Sequence, residues 1–214
     1  MADRFMCNLY RTRQSLDEIA RLFRAELLEE VRQANVASEV YPGTPGPVLF
    51  VENGVRELKV MSWGFPLTRR SKRTGKPLKP KPVNNARNLE SPFWKSAAAN
   101  PGWRCLIPVS EFAEAEGPSG KKTRTWFSIT EEPVFAWAGL WRPSEEWGNV
   151  YSGVMTEAND LVSPVHDRMP VILAPEDHDK WLFGSFEDVL ALQRPCDPDR
   201  MQIERTDRPW NAGR

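Results

Sequence analysis

The chain has 214 residues, with 29 acidic and 29 basic side chains, so its formal net charge at pH 7 is zero. This length predicts one domain with a sizeable core, and the neutral balance means that any basic site must be local. Three cysteines without paired spacing and two histidines without a Cys-x-x-Cys argue against a disulfide framework and a structural zinc site. The composition therefore predicts a protein of the reducing cytosol, and we expect neither a metal nor another cofactor.

Targeting and membrane signals are not evident in the sequence. No apolar run approaches the roughly 18 residues that a membrane-spanning helix needs. The first five residues, MADRF, are too short and too charged for a signal peptide. We therefore expect a cytoplasmic protein with no membrane partner.

The first predicted element is a helix. Ser15 and Glu18 form a capping-box pair, with the serine first and the glutamate three residues later. Apolar residues follow at helical spacing from Leu16 to Leu28, which predicts one helix over residues 16–34.

A β-hairpin is predicted next, after a loop over residues 41–47 that is rich in proline and glycine. Residues 48–52 and 58–63 predict two strands. The Asn53-Gly54 pair between them is a strong hairpin-turn signal.

The stretch RRSKRTGKPLKPK, residues 69–81, has seven basic side chains, two prolines, one glycine and no aromatic residue. Such a segment cannot bury itself, so we expect a mobile loop. It is interpreted either as a solvated run of charge or as an arm that follows nucleic-acid phosphates, with Arg69 and Arg70 among the contacts.

The rest of the chain predicts short strands and peripheral helices, and hence an α+β fold with a largely antiparallel, curved, barrel-like sheet. Strands are predicted over residues 105–109, 125–130, 134–140, 151–156 and 171–173, and helices over residues 91–100, 176–183 and 186–192. The polar residues after 194 are expected to form a poorly ordered tail. We expect one domain over residues 6–194, an extension over 1–5 and a tail over 195–214.

Two carboxylates follow the buried strand predicted for residues 105–109. Pro108 is expected to interrupt the apolar run of residues 105–107, and a second short segment carries Glu111 and Glu114. A carboxylate just past a buried strand has rigid support and partial desolvation, which suits proton chemistry. The alternative interpretation is that both are solvated loop acids.

Six short motifs occur in order along the chain. They are Met6-Cys7-Asn8, Trp63-Gly64-Phe65, Asn85-Ala86-Arg87, RCLIPVSEFAE over residues 104–114, Ala138-Gly139-Leu140-Trp141 and His166-Asp167-Arg168-Met169-Pro170. Each motif alone is weak, but together they resemble the SRAP family, the SOS response-associated peptidases or abasic-site-processing proteins. The resemblance covers residues 6–182.

The resemblance implies a compact α+β domain with a curved sheet and a positively charged groove for single-stranded DNA. Family members link covalently to abasic sites during DNA damage, and the cysteine after the initiator methionine becomes the mature N-terminus. Its amine and thiol capture the sugar aldehyde as a thiazolidine. Cys7 is thereby implied as the nucleophile, single-stranded DNA with abasic sites as the partner, and the protein as a monomer that joins the nucleoid during damage.

The family motifs also imply roles for other residues. Asn85 would hold the cysteine and the opened sugar, Glu114 would transfer protons, and His166 would help to open the sugar ring. Four further residues are expected to contact DNA, two arginines at phosphates and two apolar side chains beside displaced bases. They are Arg87, Arg168, Trp63 and Met169.

The chemistry of an N-terminal cysteine supports this mechanism independently of the resemblance. An α-amine has a reference pKa of about 7.7–8.0, so a useful fraction is neutral at cellular pH and can attack an aldehyde. A thiol on the same residue then closes a five-membered ring in an intramolecular step with a high effective molarity.

Plainer interpretations remain for the residues of interest. Without the resemblance, Asn85 is equally well a turn asparagine and His166 a surface histidine. Cys105 is expected to be a buried core thiol, and His178 a solvated histidine on a short helix.

The chain departs from the family pattern in four places. Five residues precede Met6, which puts the exposure of the Cys7 amine in question. Ala113 and Ala115 stand where the family usually has aromatic residues, so Glu114 is expected to be less shielded. Leu89 replaces a common glutamate, and the segment after residue 195 lacks a family match.

Three functions follow from these observations. The first is an enzyme-like DNA-repair protein that crosslinks itself to abasic sites, with hydrolase and lyase-like chemistry. The second is a cysteine peptidase that acts on its own leader. The third is a non-catalytic single-stranded DNA-binding protein, which applies if Cys7 stays internal.

Overall fold

The computed structural model describes residues 7–213. The predicted extension over residues 1–5, and Met6 with it, lie outside the described residues. The strands are β1 (Tyr10–Arg11), β2 (Glu26–Leu27), β3 (Glu39–Val40), β4 (Pro45–Glu52), β5 (Val55–Trp63), β6 (Phe65–Arg70), β7 (Pro77–Val83), β8 (Asn85–Ala86), β9 (Arg104–Val109), β10 (Glu111–Glu116), β11 (Thr123–Ile129), β12 (Phe135–Ser144), β13 (Gly148–Glu157), β14 (Arg168–Pro170), β15 (Ile172–Leu173) and β16 (Met201–Pro209). The helices are α1 (Leu16–Leu22), α2 (Glu29–Arg32), α3 (Lys95–Ala99), α4 (His178–Phe183) and α5 (Phe186–Leu192).

Most of these strands belong to one large curved sheet. Its order is β14-β13-β12-β9-β4-β5-β2. In addition, β8 pairs with β13 and β15 pairs with β12. β5 also pairs with β13 in parallel, through Ser62 opposite Val150 and Trp63 opposite Tyr151, so the sheet curves back towards itself. The other long pairings are antiparallel, which confirms the predicted α+β fold with a curved, largely antiparallel sheet.

Side-chain alternation along the central strands builds a core on each face of this sheet. On β9, Leu106 belongs to a core shared with α1, α3, α4 and α5, whereas Cys105 and Ile107 belong to a second core on the other face. The second core is closed by a smaller sheet of order β16-β11-β10-β1-β3. The carboxylates of β10 therefore lie in a layer that packs against a buried core.

The second core requires a glycine on β13. A Cβ atom at Gly153 would lie 1.9 Å from the indole ring of Trp137, which is a clash with a fully buried side chain. The bare backbone of β13 therefore lets Trp137 fill the space beside it, and Gly153 pairs with Asn85 on β8.

The predicted hairpin is confirmed. β4 and β5 pair along their whole length, from Glu52 opposite Val55 to Pro45 opposite Ser62. Asn53 and Gly54 both have positive φ, 51° and 80°, as a tight type I′ hairpin turn requires.

The helix predicted over residues 16–34 is wrong in its length. α1 ends at Leu22, and Arg24 takes a left-handed conformation with φ 52°. The amides of Arg24 and Ala25 donate to the carbonyls of Arg21 and Ala20, which is a Schellman ending of the helix. Beyond this point Ala25 and Leu27 still pack against the core, but they belong to the turn and to strand β2 and do not extend the helix.

The basic stretch over residues 69–81 is not an irregular loop, which corrects that prediction. β6 and β7 form a two-stranded antiparallel sheet, with Phe65 opposite Val83 at its base and Arg70 opposite Pro77 near its tip. A hairpin satisfies its inner backbone groups within itself, so it needs no burial of its charged side chains. We call residues 65–83 the basic arm.

The segment after residue 194 is also more ordered than predicted. β16 pairs with β11 from Met201 opposite Ile129 to Pro209 opposite Thr123. The polar composition is that of an edge strand with one face towards water, which composition alone does not distinguish from a tail. Over residues 7–213, no helix combines the length and the apolar character that a membrane crossing demands.

Candidate active site

Cys7 is fully buried, two residues (Asn8 and Leu9) ahead of the start of β1, in the core between the two sheets. Its thiol donates a weak hydrogen bond to the carbonyl of Leu9, with an Sγ–O distance of 3.8 Å. Burial, and then the negative charge of Glu114, raise the pKa of the Cys7 thiol well above its ordinary value. The surroundings of Cys7 therefore favour the protonated thiol over the thiolate.

Asn85 lies beside Cys7 because β8 pairs in parallel with β13. Its side-chain Nδ2 donates to the carbonyl oxygen of Cys7 at 2.8 Å. The side chain of the preceding residue, Asn84, donates to the same oxygen at 3.1 Å. The predicted contact between Asn85 and the cysteine is thus present in the structure, and a second asparagine joins it.

Glu114 faces the same core from β10. Its neighbour two residues earlier, Phe112, belongs to this core, while Ala113 lies on the opposite face of the strand. The Glu114 side chain is only 2% exposed, and burial, followed by the nearby charge of Asp167, raises its pKa well above the ordinary value, against a smaller effect of Lys122. Glu114 is therefore a carboxylic acid poised to keep its proton well above the pH at which an exposed glutamate loses it.

The expectation that Glu114 would be less shielded is wrong. Ala113 and Ala115 contribute to a small cluster on the other face, where Ala113 pairs with Trp126 of β11. On the face opposite Glu114, the aromatic side chain beside Ala113 is therefore Trp126 of the neighbouring strand β11. Nor is Glu111 a solvated loop acid, since its carboxylate forms ion pairs with Arg11 and Arg13.

Two acceptors in this site lack a donor. Among residues 7–213, neither Asn85 Oδ1 nor Glu114 Oε1 has a hydrogen-bond partner, although both atoms are buried. A buried polar atom without a partner costs roughly 1–3 kcal/mol. The arrangement therefore suits a ligand or a terminal group that brings N–H or O–H donors.

His166 lies at the turn that leads into β14, which pairs with β13 beyond β8. Its Nδ1 accepts the amide N–H of Arg168 at 3.0 Å and lies 3.4 Å from the carboxylate of Asp167. Asp167 is also close enough to raise the pKa of Glu114. β13 thus carries Asn85 and the His166 segment on adjacent stretches of one strand.

The predicted DNA-contacting residues divide into two groups. Arg87 and Arg168 remain accessible, and the carbonyl of Arg87 accepts a hydrogen bond from Gln193 at 2.7 Å. Trp63 and Met169 are fully buried in the second core, so neither presents a face to a base here. Both side chains lie inside the core, so the structure does not place Trp63 or Met169 where a base could contact them.

The basic arm differs from the rest of the surface in its charge. All seven cations predicted in residues 69–81 are exposed, and within residues 7–213 none of them forms an ion pair. Their electrostatic field is therefore directed at solvent or at a bound anion. No group of three or more histidine, cysteine or acidic side chains in the described part of the chain is arranged to hold a metal ion.

Asn84 is a residue of this site that the sequence motifs did not predict. Neighbours in a strand face opposite sides, so a strand over the Asn-Asn pair predicts that only one of them reaches Cys7. Asn84 lies just before β8 begins, where this alternation does not apply. The motifs also did not predict a buried pair of hydroxyl groups in the same core, those of Tyr10 and Tyr151, whose oxygens are 2.5 Å apart.

The raised pKa of Glu114 has a consequence for stability. Above the ordinary glutamate pKa, about 4.3, the unfolded chain has lost this proton while the folded protein keeps it, so stability falls as pH rises towards the folded pKa. The variant Glu114→Gln is therefore expected to gain stability relative to the unmodified protein as pH rises from about 4.5 to 8, by at most about 1.4 kcal/mol per pH unit.

Urea unfolding at several pH values measures this difference. The exposed Glu145→Gln serves as the control and should show no such trend. A Glu114→Gln difference that is the same at every pH would contradict the buried, protonated state of Glu114.

Comparison with known proteins agrees with this fold and these motifs. The family model of the SOS response associated peptidases (SRAP) matches residues 6–209. The abasic site processing proteins YoqW and YoaM of Bacillus subtilis are 34% and 33% identical over 110 and 111 residues. These alignments cover 46% of this chain and 48% and 47% of the relatives, so the chain spans about half the length of the curated relatives that it matches.

Solved structures extend the agreement to nearly the whole chain. A protein from Bordetella bronchiseptica has a TM-score of 0.75 at 25% identity, over 94% of this chain and 99% of that one. A protein from Bacteroides thetaiotaomicron has a TM-score of 0.76 at 22% identity, over 93% and 91%. Because the family model covers nearly every described residue and the fold and motifs agree with it, this chain belongs to the SRAP family.

Proposed function

We propose that this protein captures abasic sites in single-stranded DNA as a covalent thiazolidine, with Cys7 as its N-terminal residue, in the response to DNA damage. The observation that carries the proposal is the meeting of Cys7, Asn85 and Glu114 in one buried site with two unpartnered acceptors. Family membership and the names of the curated relatives, abasic site processing proteins, support it.

The reaction uses both nucleophiles of an N-terminal cysteine. The neutral α-amine adds to the aldehyde carbon of the ring-opened abasic sugar, and loss of water leaves an imine. The Cys7 thiol then adds its sulfur to the imine carbon and its proton to the nitrogen, which closes a five-membered thiazolidine. Since amine and thiol belong to one residue, the second step is intramolecular and fast.

Proton transfer falls to Glu114. As a buried acid with a raised pKa, it gives a proton to the hydroxyl that leaves as water when the imine forms. In the reverse reaction the resulting carboxylate takes the proton back from attacking water. The unpartnered Oε1 of Glu114 and Oδ1 of Asn85 are suited to accept N–H bonds from the terminal amine.

His166 and the arginines prepare the substrate. His166 protonates the ring oxygen as the abasic sugar opens, which suits a side chain with a reference pKa near neutrality. Arg87 and Arg168 bind the phosphates on either side of the abasic site. Arg69 and Arg70 on the basic arm extend this contact along the strand.

Incubation with an abasic oligonucleotide, followed by denaturing electrophoresis, tests the proposal. A slower band that survives denaturation is expected with an abasic site and absent with a tetrahydrofuran analogue, which has no aldehyde. Proteolysis without such a band would favour a peptidase acting on its own leader. A shift in native gels alone would favour a non-catalytic DNA-binding protein.

The basic arm is expected to account for part of the salt dependence of DNA binding. Replacing Arg69, Arg70, Lys72 and Arg73 with alanine should flatten the plot of log affinity against log salt by up to about 0.7 for each lost phosphate contact. Fluorescence anisotropy of a labelled single strand at several salt concentrations measures the slope.

A second variant controls for the loss of four positive charges. It replaces four basic residues in or beside the helices, outside the basic arm, which are Arg21, Arg24, Arg32 and Lys180. Equal slopes for both variants would mean that the arm contributes only its net charge and makes no phosphate contacts.

A further inference from the structure

The carbonyl oxygen of Cys7 accepts hydrogen bonds from two side-chain amides. Asn85 Nδ2 donates to it at 2.8 Å and Asn84 Nδ2 at 3.1 Å. The Asn84 amide also donates to Oδ1 of Asn8, at 3.0 Å. One side chain thus connects the main chain of Cys7 with the residue that follows it.

Asn84 is itself held from behind. Its carbonyl oxygen accepts the indole N–H of Trp63 at 2.9 Å and the amide N–H of Gly153 at 3.0 Å. Trp63 is fully buried on β5 and Gly153 lies on β13, so two strands of the large sheet set the position of Asn84. The donor that reaches Cys7 therefore stands on rigid support.

We propose that Asn84 is a positioning residue for the nucleophile, which acts with Asn85 as a two-amide clamp on the Cys7 carbonyl. The inference rests on the proposed function, because it assigns a role in the same reaction. Asn84 lies outside the six family motifs. The inference also gives the buried Trp63 a role, which is to support the clamp through its hydrogen bond to Asn84.

The clamp follows from what an N-terminal residue lacks. When the chain begins at Cys7, no preceding peptide restrains it, and its amine and thiol must both stay free to react. The carbonyl is then the backbone group by which the residue can be held. Two donors on that oxygen restrict rotation about the Cα–C bond, and this keeps amine and thiol directed at one point.

The clamp also affects the charge of the amine. Amide N–H groups present the positive end of their dipoles, and two of them beside the Cys7 carbonyl disfavour a neighbouring ammonium. The amine is thereby favoured in its neutral, nucleophilic form. A negative charge at position 84 would have the opposite effect.

Two substitutions test these roles separately. Asn84→Ala removes one neutral hydrogen bond, so the crosslinking rate at saturating DNA is expected to fall about threefold to tenfold with an unchanged DNA dissociation constant. Asn84→Asp keeps the shape but places a carboxylate near the amine. It is expected to move the ascending limb of the rate-against-pH profile to higher pH, because a nearby negative charge stabilises the ammonium.

Asn88→Ala is the matched control. That asparagine lies four residues further along, and its side chain accepts a hydrogen bond from the Glu90 amide. Its crosslinking rate and pH profile should match those of the unmodified protein.

The outcomes separate this inference from the proposed function. If the unmodified protein forms no adduct, the proposed function fails before Asn84 is tested. If it does, an unchanged rate for Asn84→Ala or an unshifted profile for Asn84→Asp overturns the clamp. Should Asn84→Ala not fold, the isosteric Asn84→Asp decides through its rate at pH values above the ascending limb, where the amine is neutral in both proteins. An aspartate cannot donate to the Cys7 carbonyl, so the clamp predicts a lower rate there, and an equal rate overturns it.

Discussion

A protein that retains residues 1–6 is expected to form no denaturation-resistant DNA adduct, whereas the same chain beginning at Cys7 should form one. With Met6 attached, the Cys7 nitrogen is an amide whose lone pair is delocalised into the carbonyl, so it cannot form an imine. The thiol alone gives only a labile hemithioacetal. Intact-mass measurement identifies the N-terminal residue of the protein, and denaturing electrophoresis of the same sample shows whether the DNA adduct has formed.

The matched control is the other fully buried cysteine of this core. Cys105→Ala, in a chain that begins at Cys7, should crosslink at the normal rate because Cys105 has no free amine. Cys7→Ser should lose the stable adduct while it keeps the amine. A resistant adduct from protein that retains Met1 to Met6 would contradict the mechanism.

Two routes would free the Cys7 amine, and the native protein distinguishes them. Translation that starts at Met6 needs only an aminopeptidase to remove that methionine. Autocatalytic cleavage of the Met6–Cys7 bond would instead need Cys7 as nucleophile, with Glu114 or His166 assisting. Conversion of purified full-length protein in buffer alone would indicate the second route, and no conversion would indicate the first.

Glu114→Gln is expected to slow both formation and reversal of the adduct by about 10²–10⁴-fold. The substitution keeps the shape of the side chain but removes the proton that the buried acid would donate and take back in the proposed reaction. Single-turnover crosslinking and release into excess unlabelled abasic DNA measure the two directions.

Glu111→Gln is the control for this prediction. Both carboxylates lie on β10, but Glu111 pairs with Arg11 and Arg13 on the other face of the strand. Its loss should affect stability more than rate. Equal loss of rate in both variants would mean that β10 contributes structure and no proton transfer.

Local patterns were sufficient for much of the fold. The Asn53-Gly54 turn predicts its hairpin because few residue pairs accept two successive positive φ angles, and the structure has them there. The apolar run at 105–109 predicts a buried strand because both faces of β9 are covered. The capping box at Ser15 likewise predicts the start of α1, since its bonds are local.

Local patterns did not predict the elements whose stability comes from distant partners. β16 is a strand because the edge of β11 accepts it, and the polar residues of the segment carry little trace of that pairing. α1 ends early at a left-handed arginine, although the apolar spacing continues. The basic arm has regular structure because its two strands pair with each other.

The site shows the same division. Its chemistry was visible in the sequence, because cysteine, asparagine and glutamate are recognised by type and by motif. Their meeting was not, because Cys7 ahead of β1, Asn85 on β8 and Glu114 on β10 come together from three separate parts of the chain. Long-range packing decided three further features: burial raises the pKa of Glu114, the core encloses Trp63, and Asn84 lies within hydrogen-bond distance of the Cys7 carbonyl. Residue type determines what a side chain can do, whereas its solvent exposure and neighbours, which depend on long-range packing, determine what it does here.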